Sequence, residues 1–291
     1  TDADLPAQTL SFSISGGADA ARFTINSSSG ALTFASAPDF EAPTDADTDN
    51  VYEVTVEASD GLGMTDTQAI SVTVTSVNDN APVITSDGGG ATAAVNVAEN
   101  ETAVTTVTAT DADLPAQTLS YAITGGADAA RFAINPSSGA LTFASAPDFE
   151  TPTDADSDNV YEVTVEASDG LGMTDTQAIS VTVTSVNDNA PVITSDGGGA
   201  TAAVNVAENE TAVTTVTATD ADLPAQTLSY SIIGGADAAR FSINGSSGAL
   251  TFATAPDFEV PTDADTDNVY EVTVEASDGL GMTDTQAISV S

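Results

Sequence analysis

Val160-Tyr161-Glu162-Val163-Thr164-Val165-Glu166-Ala167 alternates apolar and polar residues with a period of two. Side chains of an extended strand leave it on alternate faces, so Tyr161, Val163, Val165 and Ala167 form one inward row while Glu162, Thr164 and Glu166 face water. Residues 177–186 read the same way, with Ile179, Val181 and Val183 inward and Ser180, Thr182 and Thr184 outward. Val104, Val107 and Ala109 form another run whose uneven spacing predicts a bulge or bend. Shorter strands are predicted over 119–123, 131–134 and 140–143. Gly125-Gly126, Ser138-Gly139 and Asp169-Gly170-Leu171-Gly172 punctuate them as turns. The helical-looking patch 127–132 is long enough only for a single turn that leads Phe132 inward. Phe132, Phe143, Phe149 and Tyr161 are expected core or near-core aromatics rather than a ligand platform. About seven short strands per hundred residues, with apolar inner rows, predict an all-β fold of Greek-key β-sandwiches.

Outward from this stretch, the sequence returns on itself every 109 residues. Asp2-Ala3-Asp4 recurs as Asp111-Ala112-Asp113 and Asp220-Ala221-Asp222, and Asn78-Asp79-Asn80-Ala81-Pro82 recurs at 187–191. Residues 83–182 and 192–291 differ at eight of 100 positions, Ala122/Ser231, Pro136/Gly245 and Ser145/Thr254 among them. Such self-similarity marks a tandem array. The expected division is a repeat at 1–82 lacking its first strand, a complete repeat with its connector at 83–191, and a repeat at 192–291 that stops before its connector. Each is large enough to bury a core of its own.

The 291 residues hold 44 carboxylates, three arginines and no lysine, for a formal charge of -41. Charge of this density opposes compaction unless something neutralises it. It excludes nucleic acid and anionic membrane as natural partners and points to divalent cations. Cysteine, tryptophan and histidine are all absent. Zinc, haem and iron–sulfur centres lose their usual ligands, and histidine-based catalysis is excluded. No apolar run is long enough to span a bilayer, so membrane insertion is not expected of this stretch.

Hard cations such as calcium take six to eight oxygens from carboxylates, amides, backbone carbonyls and water. Such oxygens cluster where the repeats meet. At the second junction Glu99, Asp148 and Glu150 come from the repeat before, Asn187, Asp188 and Asn189 from the connector, and Asp220, Asp222 and Asp278 from the repeat after. Pro191 holds Ala190 extended, and Asp220 and Asp222, two residues apart, share one face of an extended chain. The first junction offers Asp39, Glu41, Asn78, Asp79, Asn80, Asp111, Asp113 and Asp169. It lacks a counterpart of Glu99 and is expected to hold its ions more weakly. Asp2, Asp4 and Asp60 at one end, and Glu208, Asp257 and Glu259 at the other, are each expected to form half a site.

With these residues in place the chain resembles tandem cadherin repeats, specifically the cadherin-like repeats of large bacterial adhesins. Val97-Ala98-Glu99-Asn100 resembles the opening glutamate motif, Asp111-Ala112-Asp113 the paired aspartates, and Asp148-Phe149-Glu150 the Asp-x-Glu motif. Ala167-Ser168-Asp169 resembles the late aspartate motif and 187–191 the linker. The resemblance implies seven-stranded sandwiches of cadherin-like, immunoglobulin-like architecture arranged as an extended rod, with three Ca²⁺ ions at each complete junction. Two departures stand out. Ser76 and Ser185 replace the aspartate that commonly opens the linker, so one carboxylate ligand is missing and water, serine or a backbone carbonyl takes its place. An acidic extension also follows Glu150, with Asp154, Asp156 and Asp158 matched by Asp45, Asp47, Asp49 and by Asp263, Asp265, Asp267. Its alternating aspartates are like the start of a calcium loop, without the glycine and downstream glutamate of the EF-hand.

A catalytic reading has no aromatic-lined cleft for a paired-carboxylate mechanism, and no enzyme is expected. The expected function is a calcium-rigidified spacer in an extracellular adhesin, on the cell surface or secreted, holding distal binding domains away from the cell. Near-identical repeats multiply length rather than unit-specific surface. Homophilic or carbohydrate contact is the alternative. The strand exchange usual in cell–cell cadherins needs a terminal tryptophan that is absent, and sugar binding needs exposed aromatics.

Overall fold

The computed structural model describes residues 8–291, so Asp2 and Asp4 lie outside the described residues. The chain parts into two compact units. The first runs to Ala94 and takes in Thr105–Thr142 and Glu162–Ser180; the second comprises Val95–Val104, Phe143–Tyr161 and Val181–Ser291.

Within the first unit, Val51–Ser59 pairs antiparallel with Ser11–Gly16 on one side and Thr65–Thr73 on the other. Tyr52 lies opposite Val72 and Val54 opposite Ile70, so the alternation of the sequence becomes a continuous apolar face. A second pair, Phe23–Ile25 with Leu32–Phe34, lies across that face. Phe23, Tyr52 and Val54 are buried, with Ile14, Leu32, Phe34 and Ile70 packed against them. The Phe34 ring meets Tyr52 edge-on at 5.1 Å between centroids, a favourable quadrupole arrangement.

The second unit contains the fuller version of the same sandwich. One sheet is ordered Thr201–Val204, Thr283–Val290, Tyr270–Ser277, Ser229–Gly234; the facing sheet is Ala212–Thr215, Ala249–Phe252, Phe241–Ile243. Thr201–Val204 runs parallel to Thr283–Val290, whereas the other pairs of the first sheet are antiparallel. Val216, Leu250, Val272, Val274, Ala276 and Ile288 lie at the centre of the core. Val56 and Ala58, which match Val274 and Ala276, are only half-buried. Among the described residues the facing strands of the first repeat are Phe23–Ile25 and Leu32–Phe34.

Residues 83–184 repeat the pattern, with sheets ordered Ser120–Gly125, Val160–Ser168, Thr174–Thr184, Thr92–Ala98 and Phe132–Ile134, Ala140–Phe143, Ala103–Thr106. Tandem all-β sandwiches are the fold, as the alternation predicts, with the immunoglobulin-like architecture that the resemblance implies. The uneven run resolves into Ala103–Thr106 and Ala109–Thr110, with the fully buried Val107 at the break. The helical patch is a 3₁₀ turn, Ala129–Arg131, that delivers Phe132 to its strand. Phe132, Phe143 and Tyr161 are buried and Phe149 is half-buried, while its third-repeat counterpart Phe258 is 65% exposed. Phe149 sits in a bend between Asp148 and Glu150, and its N–H donates to Glu99 Oε2 at 2.7 Å.

Gly235 shows how tightly the turn before Phe241 is set. Its φ is +105°, and a Cβ there would lie 2.3 Å from the Glu271 carbonyl oxygen. Only glycine meets both conditions.

Candidate functional site

Each compact unit holds one connector, and around each connector the expected oxygens draw together. In the first unit, ligand atoms of Glu41, Asp79 and Asp113 lie within 4.8 Å of one another. Asp113 is buried and Asp79 exposed, so the cluster sits half in the protein and half open to water. The turns that present these groups are built by their own backbone. Asp39 Oδ1 accepts from the N–H of Glu41 and Ala42 at 3.0 and 3.1 Å, folding the segment so that Glu41 projects forward. Asp111 Oδ1 accepts from Asp113 N–H at 3.0 Å, which turns Asp113 inward.

The connector is clamped on both sides. Asn80 donates its N–H and its Nδ2 to Asp113 Oδ1 at 3.2 and 2.8 Å, and Asn78 Nδ2 donates to Asp169 Oδ2 at 2.9 Å. Leu114 N–H donates to Glu41 Oε1 at 3.1 Å. Burial pushes the Asp169 carboxyl up, but Asn78 and the N–H groups of Leu171, Met173 and Gly172 outweigh it and hold the group below its ordinary range.

In the second unit Glu99, Glu150 and Asp188 bring ligand atoms within 4.8 Å of one another. Glu99 is buried and accepts from the N–H of Phe149 and of Val186, each at 2.7 Å, one on Oε2 and the other on Oε1. Asn187 Nδ2 donates to Asp278 Oδ2 at 2.9 Å, Asn189 Nδ2 to Asp222 Oδ1 at 2.9 Å, and Leu223 N–H to Glu150 Oε1 at 3.0 Å. Asp148 Oδ1 caps its own turn through Thr151 N–H at 2.9 Å, and Asp220 Oδ1 accepts from Asp222 N–H at 3.0 Å. Burial pushes Glu150 up, and the charges of Glu99 and Asp188 push it further, so its carboxyl lies above its ordinary range. For Asp278 burial is again outweighed, by the N–H of Leu280 and by Asn187, and the group lies low.

What remains after these hydrogen bonds is informative. Asp111 Oδ2, Asp220 Oδ2 and Glu150 Oε2 are buried and have no partner. A buried carboxylate oxygen left unpaired costs the full desolvation of that atom. Three such oxygens at the same two places, beside further carboxylates and no ammonium, are a donor set that fits a hard divalent cation. At the far end Glu208, Asp257 and Glu259 also converge within 4.8 Å, all three exposed.

Several polar residues that shape these sites escaped the sequence reading. Gln117 Nε2 donates to Asn78 Oδ1 at 2.6 Å and to Asp113 Oδ2 at 3.3 Å, and Gln226 bridges Asn187 and Asp222 in the same way. Asn100 donates to Asp188 Oδ2. Recurrence at the repeat period is the only signal that marks them. The tyrosines offer no sugar-stacking platform: Tyr52, Tyr161 and Tyr270 are buried, Tyr121 and Tyr230 half-buried.

The profile of the cadherin domain matches residues 93–184 and 202–291. Human protocadherin Fat 1 is 33% identical over 285 residues, which is 96% of this chain and 6% of that protein. Among solved structures, mouse cadherin-23 EC22–24 superposes with a TM-score of 0.66 at 25% identity, covering 99% of this chain and 88% of that one. A structure of the protocadherin gammaB7 EC3–6 cis-dimer gives 0.67 at 25% identity, covering 97% and 68%. The relatives are animal cadherins and protocadherins, and this overturns the expected assignment to a bacterial adhesin and to a bacterial surface protein. Acidic residues that recur at the junctions of tandem sandwiches follow the fold rather than the source, so the sequence pattern did not distinguish the two.

Proposed function

The chain belongs to the cadherin family, whose domains are non-catalytic, extracellular cell-surface adhesion modules, and from that premise we propose that this segment binds calcium at its connectors and, so stiffened, meets a second copy of itself. Its own share of a protein as long as Fat 1 is 6%, so the reading concerns this segment.

The observation that carries calcium is the set of buried, partnerless oxygens on Asp111, Asp220 and Glu150. In the proposed assignment Glu41, Asp79, Asp111 and Asp113 hold ions at the first connector, supported by Asp39, Asn78, Asn80 and Asp169. Glu99, Glu150, Asp188, Asp220 and Asp222 do so at the second, with Asp148, Asn187, Asn189 and Asp278. The repeats divide at 82 and 191 in this reading, which the recurrence of strands and clusters at 109 residues supports. Calcium supplies charge neutralisation and bonds from one carboxylate group to the next; the chain's own hydrogen bonds orient the carboxylates beforehand.

Self-contact rests on the relatives, one of which is solved as a cis-dimer. Sedimentation velocity in millimolar calcium and in chelator tests it: a concentration-dependent shift to dimer with calcium is expected, and a monomer at every concentration in both conditions removes self-contact. A spacer is the second reading, favoured by the eight differences between residues 83–182 and 192–291. Calcium binding without self-association is its signature.

A further inference from the structure

Away from the connectors, each repeat carries the acidic extension, and its geometry is that of a second kind of site. Asp45, Asp47 and Asp49 bring ligand atoms within 4.8 Å of one another, and so do Asp154, Asp156 and Asp158. The first aspartate of each loop is buried: Asp45 is 5% exposed, Asp154 6% and Asp263 5%. Its Oδ2 accepts from the N–H of the aspartate four residues on, at 2.7 Å for Asp49, 2.8 Å for Asp158 and 2.7 Å for Asp267. Its Oδ1 is buried and has no partner, in all three loops.

That oxygen is the independent sign of a ligand. A carboxylate more than nine-tenths buried, with one oxygen unpaired, is costly when alone. Here its neighbours are two further carboxylates, which makes the isolated state worse. No lysine exists to relieve it. Asn50 Oδ1 and Asn159 Oδ1, at the ends of the first two loops, are likewise buried without partners. In the third repeat Asp265 and Asp267 line a pocket with Asp237 and Glu271, so the loop opens onto a concave acidic surface.

The backbone is bent to make this arrangement. Thr48 and Asn50 have φ of 61° and 65°, Ser157 and Asn159 61° and 65°, and Thr266 and Asn268 66° and 63°. Left-handed threonine and serine are sparsely populated, and the bend curls alternate aspartates toward one point.

We propose that each acidic loop, Asp45–Asn50, Asp154–Asn159 and Asp263–Asn268, holds one hard divalent cation of the calcium type, separate from the ions at the connectors. Alternate carboxylates and an amide oxygen are ligands suited to such an ion, and the unpaired Oδ1 of the first aspartate is its inner ligand. The loop ion would also brace the bend before the connector, because Asn50 Nδ2 donates to Phe40 O at 2.9 Å and Asn159 Nδ2 to Phe149 O at 3.0 Å. Phe149 lies between Asp148 and Glu150.

The test replaces only the exposed middle aspartates, as the triple variant Asp47→Asn, Asp156→Asn, Asp265→Asn in the full chain. These side chains cap no strand, and unchanged circular dichroism would verify folding. Calcium bound per chain is counted by equilibrium dialysis with metal analysis, and terbium emission is read through tyrosine excitation. Tyr161 reports on the loop because its hydroxyl accepts from Thr153 N–H at 3.1 Å, next to Asp154. The expected result is one ion fewer per loop, three per chain, with loss of much of the sensitised emission. Unchanged stoichiometry in the variant overturns the loop sites and leaves the connector reading intact. A wild-type chain that binds no calcium overturns both.

Discussion

Glu150 is the residue at which charge, burial and metal demand meet. Its folded carboxyl lies above its ordinary value, so without metal the ionised group opposes folding. The contribution is favourable below the unfolded pKa of an ordinary glutamate and is lost as pH rises through the folded value. Asp169 and Asp278 behave oppositely. Their folded values are lowered, so they add stability above the ordinary aspartate range and lose it as pH falls through the folded values. Glu150→Gln is therefore expected to raise the melting temperature of the chelated chain at neutral pH and to reduce the increment that calcium adds. A scan of melting temperature with and without chelator checks both; equal calcium increments in wild type and variant would contradict the role given to Glu150. At this scale the sequence was legible where carboxylates repeat in pairs. It was not legible at Gln117, Gln226 and Asn100, because one amide in a polar loop looks the same whether it bridges two site residues or faces water.

Strands and turns were largely written in the alternation, because burial on one face leaves a period of two. Val160–Ser168 matches its reading within a residue, and Ala140–Phe143 coincides with it. Thr174–Thr184 begins earlier than expected because its first turns carry polar side chains with structural work: Gln177 is fully buried and donates to Gly90 O at 2.9 Å, and Asp175 accepts from Ile84 N–H at 2.8 Å. Gln177 and Asp175 continue the inward row of Ile179, Val181 and Val183, but a polar side chain on the inward row breaks the apolar alternation and hides the start of the strand. Two changes test the element scale. Ile288→Ala in the core of Thr283–Val290 removes a side chain that is 1% exposed, and it should cost about 2–5 kcal/mol in denaturant unfolding. Gly235→Ala forces a clash with the Glu271 carbonyl at a left-handed position, and it is expected to destabilise that sandwich beyond an ordinary glycine-to-alanine change. A Gly235→Ala chain as stable as wild type would mean that this turn relaxes freely.

The distribution of charge governs the whole molecule. Forty-four carboxylates against three arginines repel one another, and the repulsion concentrates where the backbone holds carboxylates together, at the connectors and in the acidic loops. The apolar cores are built from other side chains: Val54, Val274 and Ile288 are buried among hydrophobic neighbours. Calcium binding only to the folded chain should therefore act on two levels. At a concentration one hundred times its dissociation constant, each site adds about 2.7 kcal/mol to stability. Before any sandwich melts, chelation should free the connector clamps, because Asn78, Asn80, Asn187 and Asn189 hold carboxylates that then repel their neighbours. Small-angle scattering with calcium and with chelator reads this directly: chelation is expected to broaden the distribution of the maximum dimension while far-ultraviolet circular dichroism stays constant. Magnesium should restore little of the order, since its rigid octahedral shell suits these crowded, multidentate clusters poorly. Scattering that ignores chelation would show that hydrogen bonds alone fix the connectors, and the unpaired oxygens of Asp111, Asp220 and Glu150 would then need another partner.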